Sequence, residues 1–442
     1  MDWSKLPDVG AVALLTCAFA SVARRGQSTV SGLWLIGWLT IVLHFTAYMF
    51  LPAGGNLGNF ADFLGTSALA WAGILFMWAA VSYRDKSSSR LIVGSLLGAT
   101  TLYIGLLTYL PAPNASLIPA AILFGAAPLA IALATMRRFR HPMRWAVAAL
   151  FCALSIFLLA VQFQPKNGAT LALNGLLFTV YFGCCIHFWY AYRRGTTGAF
   201  ITIAGFLAWA SVFVVGPLIQ LLMPALHLED EVWNLPKYVV AVGMILLLLE
   251  EQIEHNKYLA LHDELTGLPN RRLFQDRLAN AIERARRTGT HTALLLVDLN
   301  YFKRVNDTLG HHTGDLLLQR VSSILSGRVR RSDTVARTGG DEFSVILEDP
   351  TTREDAAGVC QSLMELLREP MQLGEHTVTI SASAGIAIFP EDAPNLEALC
   401  IVADLHMYAE KYGGREAEQT SRMPVAGRRA AVQSPSSLIA TD

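Results

Sequence analysis

Three acidic side chains carry the first chemical signal in this chain. Asp298 lies at the end of an apolar run, Ala293 to Leu299, and Asp341 and Glu342 follow directly on Gly339-Gly340. A Gly-Gly turn strips side chains from the backbone and lets a bound molecule approach it closely. Carboxylates at the ends of neighbouring strands can hold Mg²⁺, a hard cation that takes a few carboxylates and completes its shell with phosphate oxygens and water. Acidic pairs at hairpin tips are more often only solvated, so the surrounding sequence must decide.

Those carboxylates need elements to position them. Ala293 to Leu299 reads as a buried strand, and Val335 to Leu347 as a hairpin turning at Gly339-Gly340. Ala356 to Glu369 is helical in pattern, Thr377 to Phe389 is a pair of strands or one long bent strand, and Leu396 to Tyr412 is helical again. Strands and helices mixed in this order predict an α/β sandwich on a largely antiparallel sheet.

The rest of the chain is different in kind. Of 442 residues only 16% are charged and 53% are apolar, and just 21 of the 70 charged side chains fall within residues 1–249. A bilayer crossing needs about 20 mostly apolar residues. Runs of that kind occur near 6–23, 30–51, 60–82, 91–110, 115–136, 142–162, 169–192, 198–223 and 235–249, which predicts nine spans. Basic residues collect in alternate loops: Arg24 and Arg25; Arg84, Lys86 and Arg90; Arg137, Arg138, Arg140 and Arg144; Arg193 and Arg194. The other side holds only Lys5, Lys166 and Lys237. Lys and Arg accumulate on the cytoplasmic side, which places the N-terminus outside and everything after residue 250 in the cytoplasm.

Within the spans His44, His187, Tyr48, Asp62 and Cys184-Cys185 invite a ligand hypothesis, because intramembrane polar groups often mark function. No two histidines have ligand spacing on one helix, so neighbour-satisfying roles are expected. Trp34, Trp38, Trp189, Tyr190 and Trp233 fit an interfacial aromatic belt. The six cysteines, none closely paired outside Cys184-Cys185, read as buried thiols. Residues 250–262 contain neither Gly nor Pro and read as a helical, coiled-coil-like linker. With Leu249 just before it, Ile253, Asn256 and Ala260 form a seam able to pair with its copy.

An ordered series of blocks surrounds the acidic residues. It comprises Asp263-x-Leu-Thr-Gly-Leu-Pro-Asn-Arg-Arg272; Asp298-Leu-Asn-Tyr-Phe-Lys303 with Asn306-Asp307; Gly310-His311-x-x-Gly314-Asp315; and Arg330-x-x-Asp333. Ala336-Arg337-x-Gly-Gly-Asp-Glu-Phe343, Ser383-x-Gly385, and Ala403-Asp404-x-x-Met-Tyr408 with Lys411 and Gly414-Arg415 complete it. In these blocks, over roughly residues 260 to 415, the chain resembles the GGDEF-domain family of diguanylate cyclases.

The resemblance implies a ferredoxin-like, nucleotide-cyclase-type α/β catalytic domain behind an all-α multi-span membrane domain. It implies condensation of two GTP into cyclic di-GMP and pyrophosphate. By that analogy Asp298 and Asp341, with the Leu299 carbonyl, hold Mg²⁺ or Mn²⁺, and Asp341 or Glu342 assists deprotonation of the ribose 3′-hydroxyl. Asn306, His311 and Asp315 recognise guanine beside Gly339 and Gly340. Lys303 offsets charge developing on the transferring phosphate, and Lys411 with Arg415 holds the triphosphate. Arg330 and Asp333 match an inhibitory product site.

The sequence departs from the family at Asn300, Thr338, His406 and Glu410. Asn300 is expected to have a modest effect, and Glu410, beside Lys411, to weaken triphosphate attraction. The expected organisation is a membrane region at 1–249, the linker at 250–262, the cyclase domain at 263–415 and a disordered tail at 416–442. The expected setting is a bacterial inner membrane, multi-pass, with a homodimer formed through linker and catalytic domains and with no nucleic-acid partner. The alternative function is a catalytically silent receptor for GTP or cyclic di-GMP.

Overall fold

A computed structural model describes the chain except residues 27–28, 81–86, 110–113, 135–142, 162–167, 193–194, 224, 226–229, 349–351 and 423–442; for some helical residues, Arg415 among them, only the backbone is described. The chain divides into two compact units, Met1–Glu254 and His255–Asp442.

Among the described residues the first unit is built from nine long helices: α1 (Leu6–Gly26), α2 (Thr29–Tyr48), α3 (Gly55–Ala79), α4 (Ser87–Tyr109), α5 (Asn114–Ala134), α6 (Met143–Val161), α7 (Gly168–Ala191), α8 (Thr197–Leu222) and α9 (Asp230–Leu261). Among the described residues seven helical segments are long and apolar enough, by length and composition, to cross a membrane, and Trp145–Val161 of α6 is a shorter apolar stretch. The basic loop residues Arg84, Lys86, Arg137, Arg138, Arg140, Arg193 and Arg194, and Lys166 opposite them, lie outside the described residues.

The core of this unit is aromatic. Trp34 stacks on Phe188 with centroids 5.5 Å apart, Trp38 meets Phe76 at 5.4 Å, and Tyr181 meets Trp209 at 4.1 Å. Trp34 and Trp38 are therefore core residues and not part of an interfacial belt, whereas Trp189 is exposed. His44, His187 and Cys184 are satisfied by neighbours, whereas the indole N–H groups of Trp34, Trp38 and Trp209 and the hydroxyls of Ser67 and Tyr103 are buried with no hydrogen-bond partner among the described residues. His44 Nδ1 donates to the Gly65 carbonyl at 2.9 Å, His187 Nδ1 to the Gly183 carbonyl at 2.8 Å, and Cys184 Sγ to the Gly73 carbonyl at 3.1 Å. All six cysteines are free, but only Cys184 and Cys360 are buried, and Cys17 is exposed.

A buried polar network that the hydropathy pattern concealed ties α9 to α1. Asn234 Nδ2 donates to Asp8 Oδ2 at 2.9 Å, the Tyr238 hydroxyl donates to Asp8 Oδ1 at 2.9 Å, and Lys237 Nζ donates to Asn234 Oδ1 at 2.6 Å. Lys237, expected in a loop, is thus a buried helix residue, with its ammonium 4.6 Å from the centre of the Phe45 ring. Further along α9, Glu250 accepts from the Gly198 N–H through both carboxylate oxygens at 3.1 Å, and Gln252 donates to the Val22 carbonyl.

The second unit carries a four-stranded sheet of β1 (Thr292–Asn300), β2 (Thr334–Arg337), β3 (Glu342–Glu348) and β6 (Ser381–Phe389), in the order β2-β3-β1-β6 and antiparallel throughout. Its helices are α10 (Arg271–Thr288), α11 (Phe302–Leu309), α12 (His311–Arg328), α13 (Arg353–Arg368) and α14 (Leu396–Arg422), and β4 (Met371–Leu373) pairs with β5 (His376–Val378). The 377–389 segment is therefore two separate strands. α14 runs to Arg422, so the helix extends past 415, where the tail was expected to begin.

Strand periodicity sorts the two faces. Leu295, Val297 and Leu299 pack with Leu317, Leu318 and Val321 of α12 and Leu363 of α13. Leu294, with Ile346 of β3, packs with Phe274, Leu278 and Ile282 of α10 and Leu399 and Ala403 of α14. With both faces covered, β1 reads as an almost continuous apolar run. Asp298 has the parity of Leu294 and so belongs to the α10/α14 face.

The Asp8 network generates the first test. Replacing Asp8 by Ala removes the acceptor of both the Asn234 amide and the Tyr238 hydroxyl, and unfilled buried donors cost on the order of 2–5 kcal/mol together. Thermal unfolding of the purified full chain will show a clear drop for Asp8→Ala and a smaller one for Asp8→Asn, which keeps a carbonyl acceptor.

Candidate active site

The site is assembled where β1, the β2-β3 hairpin and α14 meet. The register puts Asp298 opposite Glu342 on one side and opposite Ser383 on the other. The Leu299 N–H donates to the Asp341 carbonyl at 3.2 Å, which fastens the hairpin tip to the end of β1. Asp298 is buried, and its Oδ1 accepts from Lys411 Nζ at 2.6 Å. Among the described residues its Oδ2 has no hydrogen-bond donor. A buried carboxylate is unfavourable without opposite charge, and here Lys411 supplies one positive charge against one of its two oxygens.

These oxygens suit a hard divalent cation. The donor set is a strand-end carboxylate with one free oxygen, a second carboxylate on the adjoining hairpin and the Leu299 peptide between them, all oxygen ligands of the kind Mg²⁺ takes. Among the described residues no group of three His, Cys, Asp or Glu side chains gathers to hold a metal. A cation here would be held by Asp298, Asp341 and the Leu299 carbonyl, with phosphate oxygens and water completing its shell.

The turn itself is braced by a pair to which the sequence reading gave no role. Arg337 donates through Nη2 to the Gly340 carbonyl at 2.7 Å and through Nη1 to Asp263 Oδ1 at 3.0 Å. Asp263 also accepts from the Thr266 hydroxyl at 2.6 Å and the Thr266 N–H at 2.9 Å. Burial pushes the Asp263 carboxyl up, but the Thr266 bonds and the Arg337 guanidinium outweigh it and hold it below its ordinary value. Inside the turn the Thr338 and Gly339 N–H groups both donate to the Glu342 carbonyl, at 3.0 and 3.3 Å. Arg337 and Asp263 lie 74 residues apart, and only the adjacent motif letters could have hinted at the pairing.

Tyr301, in the left-handed region at φ 62°, turns the chain from β1 into α11. Lys303 and Asn306 follow within the first six residues after β1. Lys303 is exposed, and the Asn306 amide lies over Gly314, where a Cβ would collide with the Asn306 side-chain oxygen. His311 and Asp315, four apart, share a face at the start of α12 and are exposed. Arg330 and Asp333 sit at the far end of the hairpin from Gly339-Gly340. Asp333 accepts from the Arg330 N–H at 2.8 Å and from the Glu348 N–H at 3.2 Å, so its carboxylate closes the entry to β2 while the exposed Arg330 side chain projects from the same turn. The Arg415 side chain is outside the described residues.

The departures have local partners as well. Asn300 exchanges hydrogen bonds with Ser383 at 3.1 and 3.2 Å across β1 and β6, and the Thr338 and Ser344 hydroxyls pair at 2.9 Å. Neither touches the carboxylates.

Residues 260–417 match the family model described as "Diguanylate cyclase, GGDEF domain". MucR of Pseudomonas aeruginosa, a bifunctional diguanylate cyclase/cyclic di-GMP phosphodiesterase, is 42% identical over 194 residues, covering 40% of this chain and 28% of MucR. The diguanylate cyclase TpbB of the same organism is 38% identical over 165 residues, covering 37% of this chain and 38% of TpbB. The chain thus spans well under half the length of these curated relatives. Among solved structures, the GGDEF domain of TpbB aligns at 39% identity over 34% of this chain and 89% of that one, with a TM-score of 0.34. The coiled coil and GGDEF domain of DgcB from Caulobacter crescentus, solved with cyclic di-GMP, aligns at 27% identity over 41% and 96%, with a TM-score of 0.38. Residues 260–417 are a GGDEF domain with diguanylate cyclase homologues.

The lowered Asp263 carboxyl fixes the sign of a pH effect. Its contribution is present above the ordinary carboxylate range and is lost as pH falls through the lowered value. The stability gap between the native chain and Asp263→Asn, read by denaturant unfolding, will be full at neutral pH and will close below about pH 4.

Proposed function

We propose that the chain is a membrane-embedded diguanylate cyclase that joins two GTP into cyclic di-GMP with release of two pyrophosphates. The observation that carries this reading is the junction of Asp298, Asp341 and Lys411 at the end of β1, inside a GGDEF domain. Asp298 and Asp341, with the Leu299 carbonyl, hold Mg²⁺ or Mn²⁺. The cation, when bound, neutralises phosphate charge and acidifies the attacking hydroxyl.

The chain's own groups do the rest. Asn306, His311 and Asp315 seat guanine, the amide and carboxylate pairing with its Watson-Crick edge. Gly339 and Gly340 let the nucleotide lie against the hairpin. Lys303 faces the α-phosphate, Lys411 and Arg415 grip the outer phosphates, and Asp341 or Glu342 takes the 3′-hydroxyl proton. Phosphoryl transfer of this kind is mostly positioning and charge stabilisation. The product returns to Arg330 and Asp333 and slows the enzyme.

Two GTP-loaded domains must face each other, so the active species is a dimer. The seam residues Leu249, Ile253, Asn256 and Ala260 are all exposed in the single chain, as a pairing surface on the end of α9 requires. A bilayer setting is supported by the first unit's outward side chains: Leu14, Leu91, Phe200 and Leu221, each on an apolar helix, are more than 70% exposed, as lipid-facing side chains would be. The basic loops orient it with the N-terminus outside and the GGDEF domain in the cytoplasm, in a bacterial inner membrane.

Incubation of the full chain with GTP and Mg²⁺ will yield cyclic di-GMP and pyrophosphate, and Asp341→Ala will abolish both; nucleotide binding without pyrophosphate would instead identify a silent receptor. Arg330→Ala will keep initial rates within about twofold and flatten the slowing of progress curves as product accumulates, since a lost charged contact to a phosphate or base costs on the order of 1.5–3 kcal/mol.

A further inference from the structure

His406 and Glu410 both depart from the family pattern, and from sequence Glu410 is expected to weaken triphosphate attraction. In the structure both side chains reach β6, an outer strand of the sheet. His406 Nδ1 donates to the Ile386 carbonyl at 2.6 Å, and the Ala384 N–H donates to Glu410 Oε2 at 2.6 Å. Ala384 and Ile386 share strand parity, so their backbone groups turn the same way, away from β1, and would otherwise be left at an open edge. The spacing is matched: four helix residues rise about 6 Å, and two strand residues span about 6.6–6.8 Å.

Between these contacts lies Gly385. A Cβ there would collide with the Ala403 carbonyl and the Met407 N–H, so α14 crosses β6 backbone to backbone at this residue. The next residue after Glu410 is Lys411, whose ammonium meets Asp298. Three successive contacts therefore run along one stretch of α14: His406 to β6, Glu410 to β6, Lys411 to β1.

We propose that His406 and Glu410 are positioning residues, a two-point clip on the free edge of β6 that fixes α14 so that Lys411 is presented at the phosphate-binding end of the site. Neither touches substrate. The clip acts on the site proposed above and so rests on that reading. It also reverses the sign expected of Glu410. As a bare negative charge beside Lys411, Glu410 would repel triphosphate, and its removal would tighten GTP. As a clip, it helps GTP bind, and its removal weakens binding. The carboxylate is already committed to the Ala384 N–H, which draws it toward the strand.

The test compares Glu410→Ala, Glu410→Gln and His406→Ala in the purified full chain. A glutamine carbonyl can still accept from the Ala384 N–H, so Gln separates the bond from the charge. Glu410→Ala and His406→Ala are expected to raise KM for GTP about three- to tenfold with kcat within about twofold, and Glu410→Gln to stay close to the native KM. Hydrogen exchange of the 381–389 segment without nucleotide should speed up in Glu410→Ala and not in Glu410→Gln. Matching behaviour of the Ala and Gln variants in both measurements, or a fall in KM in either, would overturn the proposal. The exchange measurement does not need turnover: a native chain that made no product would sink the cyclase reading, and the exchange comparison would still decide the clip.

Discussion

Burial of β1 on both faces is the constraint on which the GGDEF unit depends. Leu295, Val297 and Leu299 are committed to the α12/α13 layer, and Leu294 to the α10/α14 layer. A strand fixed in this way cannot slip by one residue without turning every side chain to the wrong layer. The last carboxylate of the strand, Asp298, is consequently delivered to the α14 side, in register with Glu342 and Ser383. The hydrophobic core sets the address of the acidic group, and the acidic group contributes nothing to that choice.

Charge then decides what surrounds it. Asp298 is buried and would be costly alone, and Lys411 is the cation that α14 brings to it. Arg337 plays the corresponding part on the hairpin, holding the Gly340 carbonyl with one arm and Asp263 with another. The two basic residues come from the middle and the end of the domain sequence, yet each fastens one wall of the same site. Among the described residues the exposed groups Lys303, His311 and Asp315 have no such fastening. Their positions follow from the left-handed turn at Tyr301 and from Gly314, which leaves space for the Asn306 amide.

Much of this was legible in the sequence because it is local. The strand at 293–299, the hairpin around Gly339-Gly340 and the helix from 396 are period-2 and period-3.6 patterns bounded by turn residues, and all three are present. The Arg337–Asp263 pair was not legible, since nothing in either residue's neighbourhood points 74 positions away. In the first unit hydropathy located the apolar helices but misjudged which residues they bury. Trp34 and Trp38, expected at the interface, fill the core, and Lys237 looks like a loop charge yet is buried through Asn234 and Asp8. Averaged hydropathy cannot register a polar group whose partners come from another helix.

The residues that depart from the family pattern make the same point from the other direction. His406 and Glu410 would be poor choices for a helix face that merely packs, being larger and more polar than Ala. They are sensible where that face meets an outer strand with backbone groups to satisfy. Asn300 reads similarly: its amide exchanges hydrogen bonds with Ser383 and reaches Ser381, stitching β1 to β6 two residues past the strand-end carboxylate. Three of the four departures thus converge on β6, an edge strand of the sheet, while Thr338 pairs with Ser344 of β3. An edge strand placed beside a buried carboxylate must be kept in register by something other than a second strand, and in this chain side chains from β1 and α14 do it.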